Sequence, residues 1–306
     1  MRIVFAGSPD VAVPTLAALR DSRHEVVGVV TREDSPLGRK KVVTPTEVGR
    51  YAAVAGLPLI KTDRLDETAT RAIAALRPDL GVIVAYGALV REPLLSTPRL
   101  GWINLHFSLL PRWRGAAPVQ HAILAGDRMT GVSVFRLVPE LDAGEVYARV
   151  EEPIGRFHTN GQLLDRLAKI GAPVVVGVVD ALEDGTALGR PQDGEPTYAG
   201  KLGLEDGEIA WTKSAGEIDR QIRAFTPAPS ATTTLDGERF KVLQAVPAHD
   251  TVRLAPGEVE MYDRRVLVGT GEGLLELERV QPFGRSAMPA PDWHRGRRGE
   301  RTVLGG

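Results

Sequence analysis

The first half of the chain alternates short apolar runs with amphipathic stretches of helical length. This alternation predicts a mostly parallel β-sheet covered by helices, because consecutive parallel strands must be joined by long crossover connections. The apolar runs predict strands at 3–6, 26–30, 81–85 and 102–106. The stretches between and after them predict helices at 9–19, 45–55, 67–76 and 119–125. Two alternating strands and a long helix are predicted to follow, at 130–138, 146–152 and 161–182.

The pattern changes after residue 185, where Gly, Pro and acidic residues replace the helical and strand periods. We therefore predict a first domain over 1–190, a linker over 191–205 and a second domain over 206–306. The second domain is predicted to hold a helix and short alternating strands, at 215–224, 232–235, 240–245, 266–269 and 274–280. The predicted fold class is α/β: a Rossmann-like, mostly parallel sheet domain followed by a small, OB-like β-barrel.

Charge and cysteine content exclude several classes of protein. The 38 basic and 39 acidic side chains give a formal charge of -1, which excludes a uniformly basic nucleic-acid-binding surface but not a local patch. The lack of cysteine excludes disulfides and cysteine nucleophiles. The longest apolar run, 80–90, is well short of the ~20 residues that a membrane span needs. We expect a soluble, cytoplasmic monomer with no membrane partner.

Two familiar site motifs are missing. A dinucleotide-binding domain needs several glycines after its first strand, and here that turn reads AGSPD, 6–10, with one glycine. This disfavours a hydride-transferring oxidoreductase. The glycine-rich GTGEG, 269–273, lies between two alternating runs and predicts a hairpin turn. The histidines lack partners at ligand spacing, so we predict no metal site.

Two polar residues stand at the end of the fourth predicted strand. Asn104 and His106 are two residues apart, so their side chains share one face near the carboxyl end, where open α/β sheets bind ligands. Satisfied core residues would give the same pattern, but two polar side chains on one buried face are costly. Pro111 and Gly115 mark a loop directly after the strand, and Asp142 lies in a turn between two later strands. We therefore favour a site at Asn104 and His106, which the Asp142 carboxylate could complete, although Asp142 alone would be an ordinary turn residue.

The three residue types suit acyl transfer to an amine without a covalent nucleophile. An amide N–H and an imidazole can hydrogen-bond the oxyanion that forms when an amine attacks a formyl carbon. A carboxylate can orient the imidazole and favour its charged form. An imidazole with an ordinary pKa near ~6.5 can also exchange protons at neutral pH.

The segment INLHFSLLPRWRGAAP, followed by GVSVFRLVPELDAGEV, resembles the folate-dependent formyltransferases, whose motif is Asn-x-His, then Ser-Leu-Leu-Pro and a later Leu-Asp-x-Gly. The resemblance is greatest to the branch that formylates the methionine carried by initiator tRNA. It extends over nearly the full length, through MRIVFAGSPDVAVPTLAAL, VIVAYGALV, KLGLEDGEIAW, AGEIDRQIRAF and VQPFGRSAM.

The resemblance implies a reaction and a set of site residues. The donor would be 10-formyltetrahydrofolate and the acceptor the α-amine of methionine on initiator methionyl-tRNA. Asn104 and His106 would hold the oxyanion, His106 would relay the amine proton, and Asp142 would position His106. The folate-contacting loop and a wall of the pterin pocket would be formed by Ser108, Leu109, Leu110 and Pro111 and by Ala85, Tyr86 and Gly87.

The resemblance also implies a basic loop that contacts the tRNA acceptor arm. The segment 31–45 occupies that place, with Arg39, Lys40 and Lys41 as the candidates for phosphate contact. Three basic residues alone more often form a solvated loop, and the resemblance reverses this preference in favour of contact with tRNA. The loop lacks the glycine that relatives have between the arginine and the lysines, so the match of cation to contact stays open. The second domain is implied to bind tRNA as well.

Three alternative functions share part of this pattern. A formyltransferase acting on an amino-sugar nucleotide would share Asn-x-His, the SLLP loop and a β-rich second domain, but the basic segment at 39–41 favours tRNA. Glycinamide ribonucleotide formyltransferases generally stop before a second domain, so residues 206–306 disfavour them. A non-catalytic tRNA-binding module is disfavoured by the intact Asn104, His106 and Asp142 set.

Overall fold

The computed structural model describes residues 1–38, 41–297 and 301–306. These residues form two compact units. The first comprises Met1–Pro118, Met129–Pro153 and Leu164–Ala199, and the second comprises Val119–Arg128, Ile154–Leu163 and Gly200–Gly306.

The elements of the first 199 residues follow the predicted alternation. The strands are β1 (Arg2–Gly7), β2 (Glu25–Thr31), β3 (Ser35–Leu37), β4 (Val42–Thr44), β5 (Leu59–Lys61), β6 (Leu80–Val84), β7 (Trp102–His106), β8 (Arg114–Gly115), β9 (Met129–Arg136), β10 (Val146–Pro153) and β11 (Tyr198–Ala199). The helices are α1 (Val13–Arg20), α2 (Glu47–Val54), α3 (Glu67–Ala75), α4 (Pro118–Ala125) and α5 (Asn160–Glu183).

The main sheet of the first unit has the strand order β10-β9-β7-β6-β1-β2-β5. Strands β1, β2, β5, β6 and β7 run parallel, while β9 is antiparallel to β7 and β10 antiparallel to β9. The predicted mostly parallel sheet is therefore confirmed. Strand β5 was not predicted, because a three-residue edge strand after Pro58 is too short to show a period of two.

Side-chain caps mark where two helices of this unit, α2 and α3, begin. The Thr46 side chain accepts a hydrogen bond from the backbone of Gly49 at the start of α2, and the Asp66 side chain accepts one from Ala69 at the start of α3. The faces of these helices that carry Val48, Ala52 and Ile73 are buried. Each helix thus covers the sheet with its apolar side, as the amphipathic pattern predicts.

The second unit holds an antiparallel sheet that nearly closes into a barrel. Its elements are α6 (Ala215–Phe225), β12 (Ala231–Leu235), β13 (Glu238–Ala248), β14 (Glu258–Tyr262), β15 (Arg265–Gly269), β16 (Leu274–Gln281), β17 (Met288–Pro289), α7 (Ala290–Arg295) and β18 (Thr302–Val303). The strand order is β12-β13-β16-β15-β14-β18, and β17 pairs with β16. The predicted small β-barrel class is confirmed, and Gly269–Gly273 does form the turn of the β15–β16 hairpin.

Four elements of this unit were not predicted: β17 and β18, which have two residues each, and the longer β14 and α7. Strand β14 is mostly polar, and only Val259 of its five residues is fully buried, so its alternation is weak. Helix α7 has six residues and begins after Pro289, which is too short for a helical period. It is held by Trp293, whose ring packs 4.7 Å from that of Phe240. Helix α7 therefore depends on a contact with a residue distant in sequence.

The core of the first unit has no space for a side chain at Gly81. A Cβ atom at Gly81 would lie 2.1 Å from Cδ2 and Cε3 of Trp102 on the neighbouring strand. Trp102 is fully buried, and its indole N–H donates to the carbonyl of Leu94 at 2.9 Å. The ring therefore has no free direction in which to move.

We predict that Gly81→Ala lowers the free energy of unfolding by about 1–3 kcal/mol, because the new methyl group overpacks the Trp102 ring. Gly177→Ala is the matched control: Gly177 lies inside α5, and a Cβ there meets no atom within 4 Å. The control should be neutral or slightly stabilising, by up to about 1 kcal/mol. Urea unfolding of both variants and of the wild type measures the difference. An unchanged free energy of unfolding in Gly81→Ala would show that the Trp102 ring can move to make room for the methyl group.

Candidate active site

The predicted site residues of the first unit lie at the carboxyl ends of two neighbouring parallel strands. Strand β6 ends at Val84 and is followed by Ala85–Gly87, and β7 ends at His106 and is followed by the Ser108–Pro111 loop. On its other side β7 pairs with the antiparallel β9. The site therefore lies beyond the carboxyl ends of parallel strands, where open α/β sheets bind ligands.

Asn104 lies half-buried on β7, in register with Ile83 of β6 and Phe135 of β9. Among the residues that the structure describes, its buried Oδ1 has no hydrogen-bond partner. Buried amide oxygens without a partner are rare because desolvation is not compensated. The Asn104 amide is therefore available to a ligand at the sheet edge.

His106 is buried and contacted at both ring nitrogens. Nε2 lies 2.8 Å from the carbonyl oxygen of Trp113, and Nδ1 lies 3.8 Å from Oδ2 of Asp142. A carbonyl oxygen can only accept, so Nε2 carries the hydrogen and Nδ1 of the neutral ring has the free lone pair. The ring also packs edge-on against Phe135, with centroids 6.3 Å apart.

Burial lowers the pKa of His106 below its ordinary value, while the Asp142 carboxylate and the Trp113 carbonyl act in the opposite direction. The imidazole is thus neutral at pH 7 and can accept a proton. The proton would be received at Nδ1, where the resulting N–H faces Asp142. The carboxylate then stabilises the imidazolium that forms.

Asp142 lies in the turn between β9 and β10. Its backbone has a φ of 47°, in the left-handed region, which Asp tolerates better than most residues. Oδ2 accepts a hydrogen bond from the backbone N–H of Gly115 at 2.7 Å. The structure therefore brings Asn104, His106 and Asp142 together at one edge of the sheet, although Asp142 is 36 positions after His106 in the chain.

The Ser108–Pro111 loop is held from below by Ser133 of β9. The Ser133 hydroxyl donates to the carbonyl of Ser108 at 2.7 Å and accepts from the backbone N–H of Leu110 at 3.1 Å. Ser108 and Leu110 are almost fully buried, whereas Leu109 and Pro111 are partly exposed. Ser108 and Leu110 hence fix the loop, and Leu109 and Pro111 are the side chains it presents.

The Ala85–Gly87 turn presents its backbone and two small residues. Ala85 and Gly87 are exposed, whereas the Tyr86 ring is buried and its hydroxyl donates to the carbonyl of Thr62 at 2.6 Å. Burial raises the pKa of Tyr86 to about 12. The Arg32 guanidinium donates to the carbonyls of Tyr86 and Gly87, at 3.3 and 3.0 Å, and so fixes the turn.

A segment that the sequence suggested was only a linker also supports the site. The Gln192 side chain bonds to the Asp142 turn, and Thr197 bonds to Trp113. Neither residue was predicted, because a hydrogen bond between positions 50 or more residues apart leaves no local pattern. The polar side chains among the Gly and Pro residues of 190–199 were the one available signal.

Of the three predicted tRNA-contacting residues, Arg39 and Lys40 lie outside the described residues. Lys41 is exposed, and its backbone N–H donates to the carbonyl of Gly38 at 3.1 Å. It directly precedes β4, which pairs with β3 in an antiparallel hairpin. The hairpin exposes Val42 and Val43 beside the basic segment.

Within residues 1–38, 41–297 and 301–306, no group of three or more His, Asp or Glu side chains could hold a metal ion. In the same part of the chain, no helix combines the length and the apolar character that crossing a bilayer requires.

Comparison with known families identifies the family to which the chain belongs. Residues 1–179 match the family described as "Formyl transferase", and residues 201–298 match "Formyl transferase, C-terminal domain". The chain belongs to the formyl transferase family. The resemblance seen in the Asn-x-His and SLLP motifs is therefore confirmed at the level of the family.

Two curated members of the family match this formyl transferase from end to end. The chain is 53% identical over 296 residues to the methionyl-tRNA formyltransferase of Clavibacter sepedonicus, covering 97% of each chain. It is 54% identical over 303 residues to the methionyl-tRNA formyltransferase of Leifsonia xyli subsp. xyli, covering 99% of this chain and 100% of the relative.

Solved structures of formyl transferases and a related protein share the fold at low identity. WlaRD, a sugar 3N-formyl transferase, superposes with a TM-score of 0.69 at 16% identity, over 94% of this chain and 99% of that one. HypX from Aquifex aeolicus, in complex with tetrahydrofolic acid, superposes with a TM-score of 0.66 at 19% identity. The chain covers 46% of HypX and so spans about half its length, while 96% of this chain is matched.

We predict that Asp142→Asn lowers the pKa of His106 further, because the carboxylate that stabilises the imidazolium is removed while burial remains. Side-chain NMR of the imidazole across a pH titration measures this value. Exposed His249, whose neighbours are unchanged, serves as the internal control. A pKa of His106 that stays the same or rises would contradict the arrangement described above.

Proposed function

We propose that this enzyme transfers a formyl group from 10-formyltetrahydrofolate to the α-amine of methionine on initiator methionyl-tRNA. The observation that carries the assignment is the identity of 53–54% along nearly the whole chain to two methionyl-tRNA formyltransferases. Membership of the formyl transferase family supports a folate-derived donor. The product is used to begin translation, and we expect the reaction to occur in the cytoplasm.

The chemistry needs a donor to the oxyanion and a base for the amine, and the site offers both. When the amine nitrogen attacks the formyl carbon, the Asn104 side-chain N–H can donate to the developing oxyanion. The neutral His106 can take the amine proton at Nδ1, while Nε2 remains bonded to Trp113. His106 can donate to the oxyanion only from Nδ1, in its protonated form. We therefore assign oxyanion binding chiefly to Asn104.

The proton balance of the reaction fits a single relay group. A C–N bond forms between the formyl carbon and the methionine amine, and the bond from the formyl carbon to N10 of the folate breaks. The proton lost by the amine passes through His106 to N10, so the imidazole returns to its neutral form. Asp142 stabilises the charged imidazolium of His106 and is itself chemically unchanged at the end of the reaction.

Residues outside the trio are assigned to binding. We propose that Leu109, Pro111, Ala85 and the backbone of Gly87 contact the folate, while Ser108, Leu110 and Tyr86 hold that surface in place. Arg39, Lys40 and Lys41 are proposed to contact tRNA phosphates. We assign the chemistry to 1–190, with help from the 191–205 linker, and tRNA binding to 206–306; a single copy of the chain suffices for these roles.

Folate release can be followed with 10-formyltetrahydrofolate and one of three acceptors: charged initiator tRNA, charged elongator tRNA, or an amino-sugar nucleotide. We predict turnover with charged initiator tRNA only. Asn104→Ala is the control for the chemistry, and its kcat should fall by about 10²-fold, as the loss of an oxyanion donor typically causes. Formylation of the sugar alone would overturn the assignment.

A second prediction concerns the basic segment. Lys40→Glu combined with Lys41→Glu should raise the KM for tRNA and flatten its dependence on salt, because fewer phosphates are neutralised on binding. The dissociation constant of the folate should not change. Arg71→Glu combined with Arg149→Glu, at two exposed positions of the first unit, makes the same change in net charge and serves as the control. Equal effects of the two charge reversals would argue against a specific role of the loop.

A further inference from the structure

The Gln192 side chain uses its full hydrogen-bonding capacity on two segments of the site. Nε2 donates to the carbonyl of Asp142 at 2.7 Å and to that of Gly144 at 2.9 Å. Oε1 accepts from Nε and Nη2 of Arg114, at 3.1 and 2.7 Å. A glutamine amide has two N–H donors and one oxygen with two lone pairs, so all four positions are occupied.

The two segments that Gln192 joins carry the two groups on either side of His106. One is the turn of Asp142, whose Oδ2 lies 3.8 Å from Nδ1. The other begins with Trp113, whose carbonyl binds Nε2 at 2.8 Å and which directly precedes Arg114. A shift of either segment would thus change the surroundings of one ring nitrogen.

Further bonds from the same stretch of chain hold Trp113 itself. Its backbone N–H donates to Oγ1 of Thr197 at 2.8 Å, and the N–H of Arg114 donates to the Thr197 carbonyl at 2.8 Å. β11 then pairs with β8 in parallel register. Residues 190–199 therefore brace the site along their length, and Gln192 is the member that reaches the Asp142 turn.

Both of the braced residues have backbone conformations that need support. Trp113 and Asp142 have φ values of 61° and 47°, in the left-handed region that most non-glycine residues avoid. Such conformations persist where surrounding bonds fix them. Loss of the Gln192 amide would remove two bonds from the Asp142 turn and leave two partly buried carbonyl groups without this partner.

We propose that Gln192 is a positioning residue for formyl transfer: it holds the Asp142 turn against the Trp113–Arg114 segment and thereby sets the position of the Asp142 carboxylate beside His106. The kinetic part of this inference rests on the proposed function. The structural part does not, because the environment of His106 can be measured without substrate. Gln192 touches no reacting atom, and its effect is transmitted through Asp142.

The test uses Gln192→Met in the full chain, because methionine keeps the length of the side chain, adds no charge and makes none of the four bonds. We expect the pKa of His106, measured by NMR, to move in the same direction as in Asp142→Asn. We also expect kcat to fall about 10-fold or more, with each KM within about 2-fold of the wild-type value. Gln281→Met, which removes a glutamine bond to the Arg285 carbonyl in the second unit, is the matched control.

The double variant Gln192→Met with Asp142→Asn separates positioning from a general loss of stability. If Gln192 acts through Asp142, adding Gln192→Met to Asp142→Asn should change kcat by less than about 2-fold. The acid dissociation constant of His106 should also change by less than about 2-fold relative to Asp142→Asn alone. Additive effects, or a folded Gln192→Met with wild-type pKa and kcat, would overturn the proposal. If Gln192→Met does not fold, Gln192→Asn, whose shorter amide cannot reach both segments, replaces it under the same criteria.

A failed proposed function would be recognised separately. In that case the wild-type protein would not formylate methionyl-tRNA. The effect of Gln192→Met on the His106 pKa could still be measured, because that measurement needs no substrate. An enzyme that formylates methionyl-tRNA but shows no such coupling would overturn the role of Gln192 alone.

Discussion

The imidazole of His106 is held at one nitrogen by a carbonyl and faced at the other by a carboxylate, and the arrangement of the site depends on this pair of contacts. Burial favours the neutral ring, while Asp142 and the Trp113 carbonyl favour the charged one. A base with this balance is neutral before it takes a proton and stabilised after it has done so. The loops on both sides serve to keep the carbonyl and the carboxylate in place.

Three non-glycine residues around the site have left-handed backbone conformations: Ala85, Trp113 and Asp142. Each belongs to a loop that follows a strand, and each loop is tied by side-chain bonds from elsewhere in the chain, from Arg32, Thr197 and Gln192 respectively. Local conformational cost of this kind is typical of functional sites. The geometry of β7 orients the side chains of Asn104 and His106. The hydrogen bonds from Arg32, Thr197 and Gln192 fix the positions of the loops.

Sequence patterns predicted the parts of the fold that repeat and missed those held by single contacts. The strands β1, β2, β6 and β7 have apolar runs long enough to show their period, and the capping residues of α2 and α3 mark their starts. The edge strand β5 and helix α7 are too short for a period. At the site, Asn104 and His106 followed from strand geometry, whereas Asp142 needed the family resemblance and Gln192 had no local signal. A side chain that bonds to a distant backbone carbonyl is not constrained by its sequence neighbours.

The two family matches end at residue 179 and begin again at residue 201, so neither includes the stretch that braces Trp113 and Asp142. The unit defined by packing, in contrast, keeps that stretch with the sheet as far as Ala199. An exchange of domains between relatives at the end of the first match would therefore join the sheet and reacting side chains of one protein to the bracing residues of another. A junction placed after Ala199 would instead keep the sheet, the reacting side chains and their supporting bonds in one inherited unit.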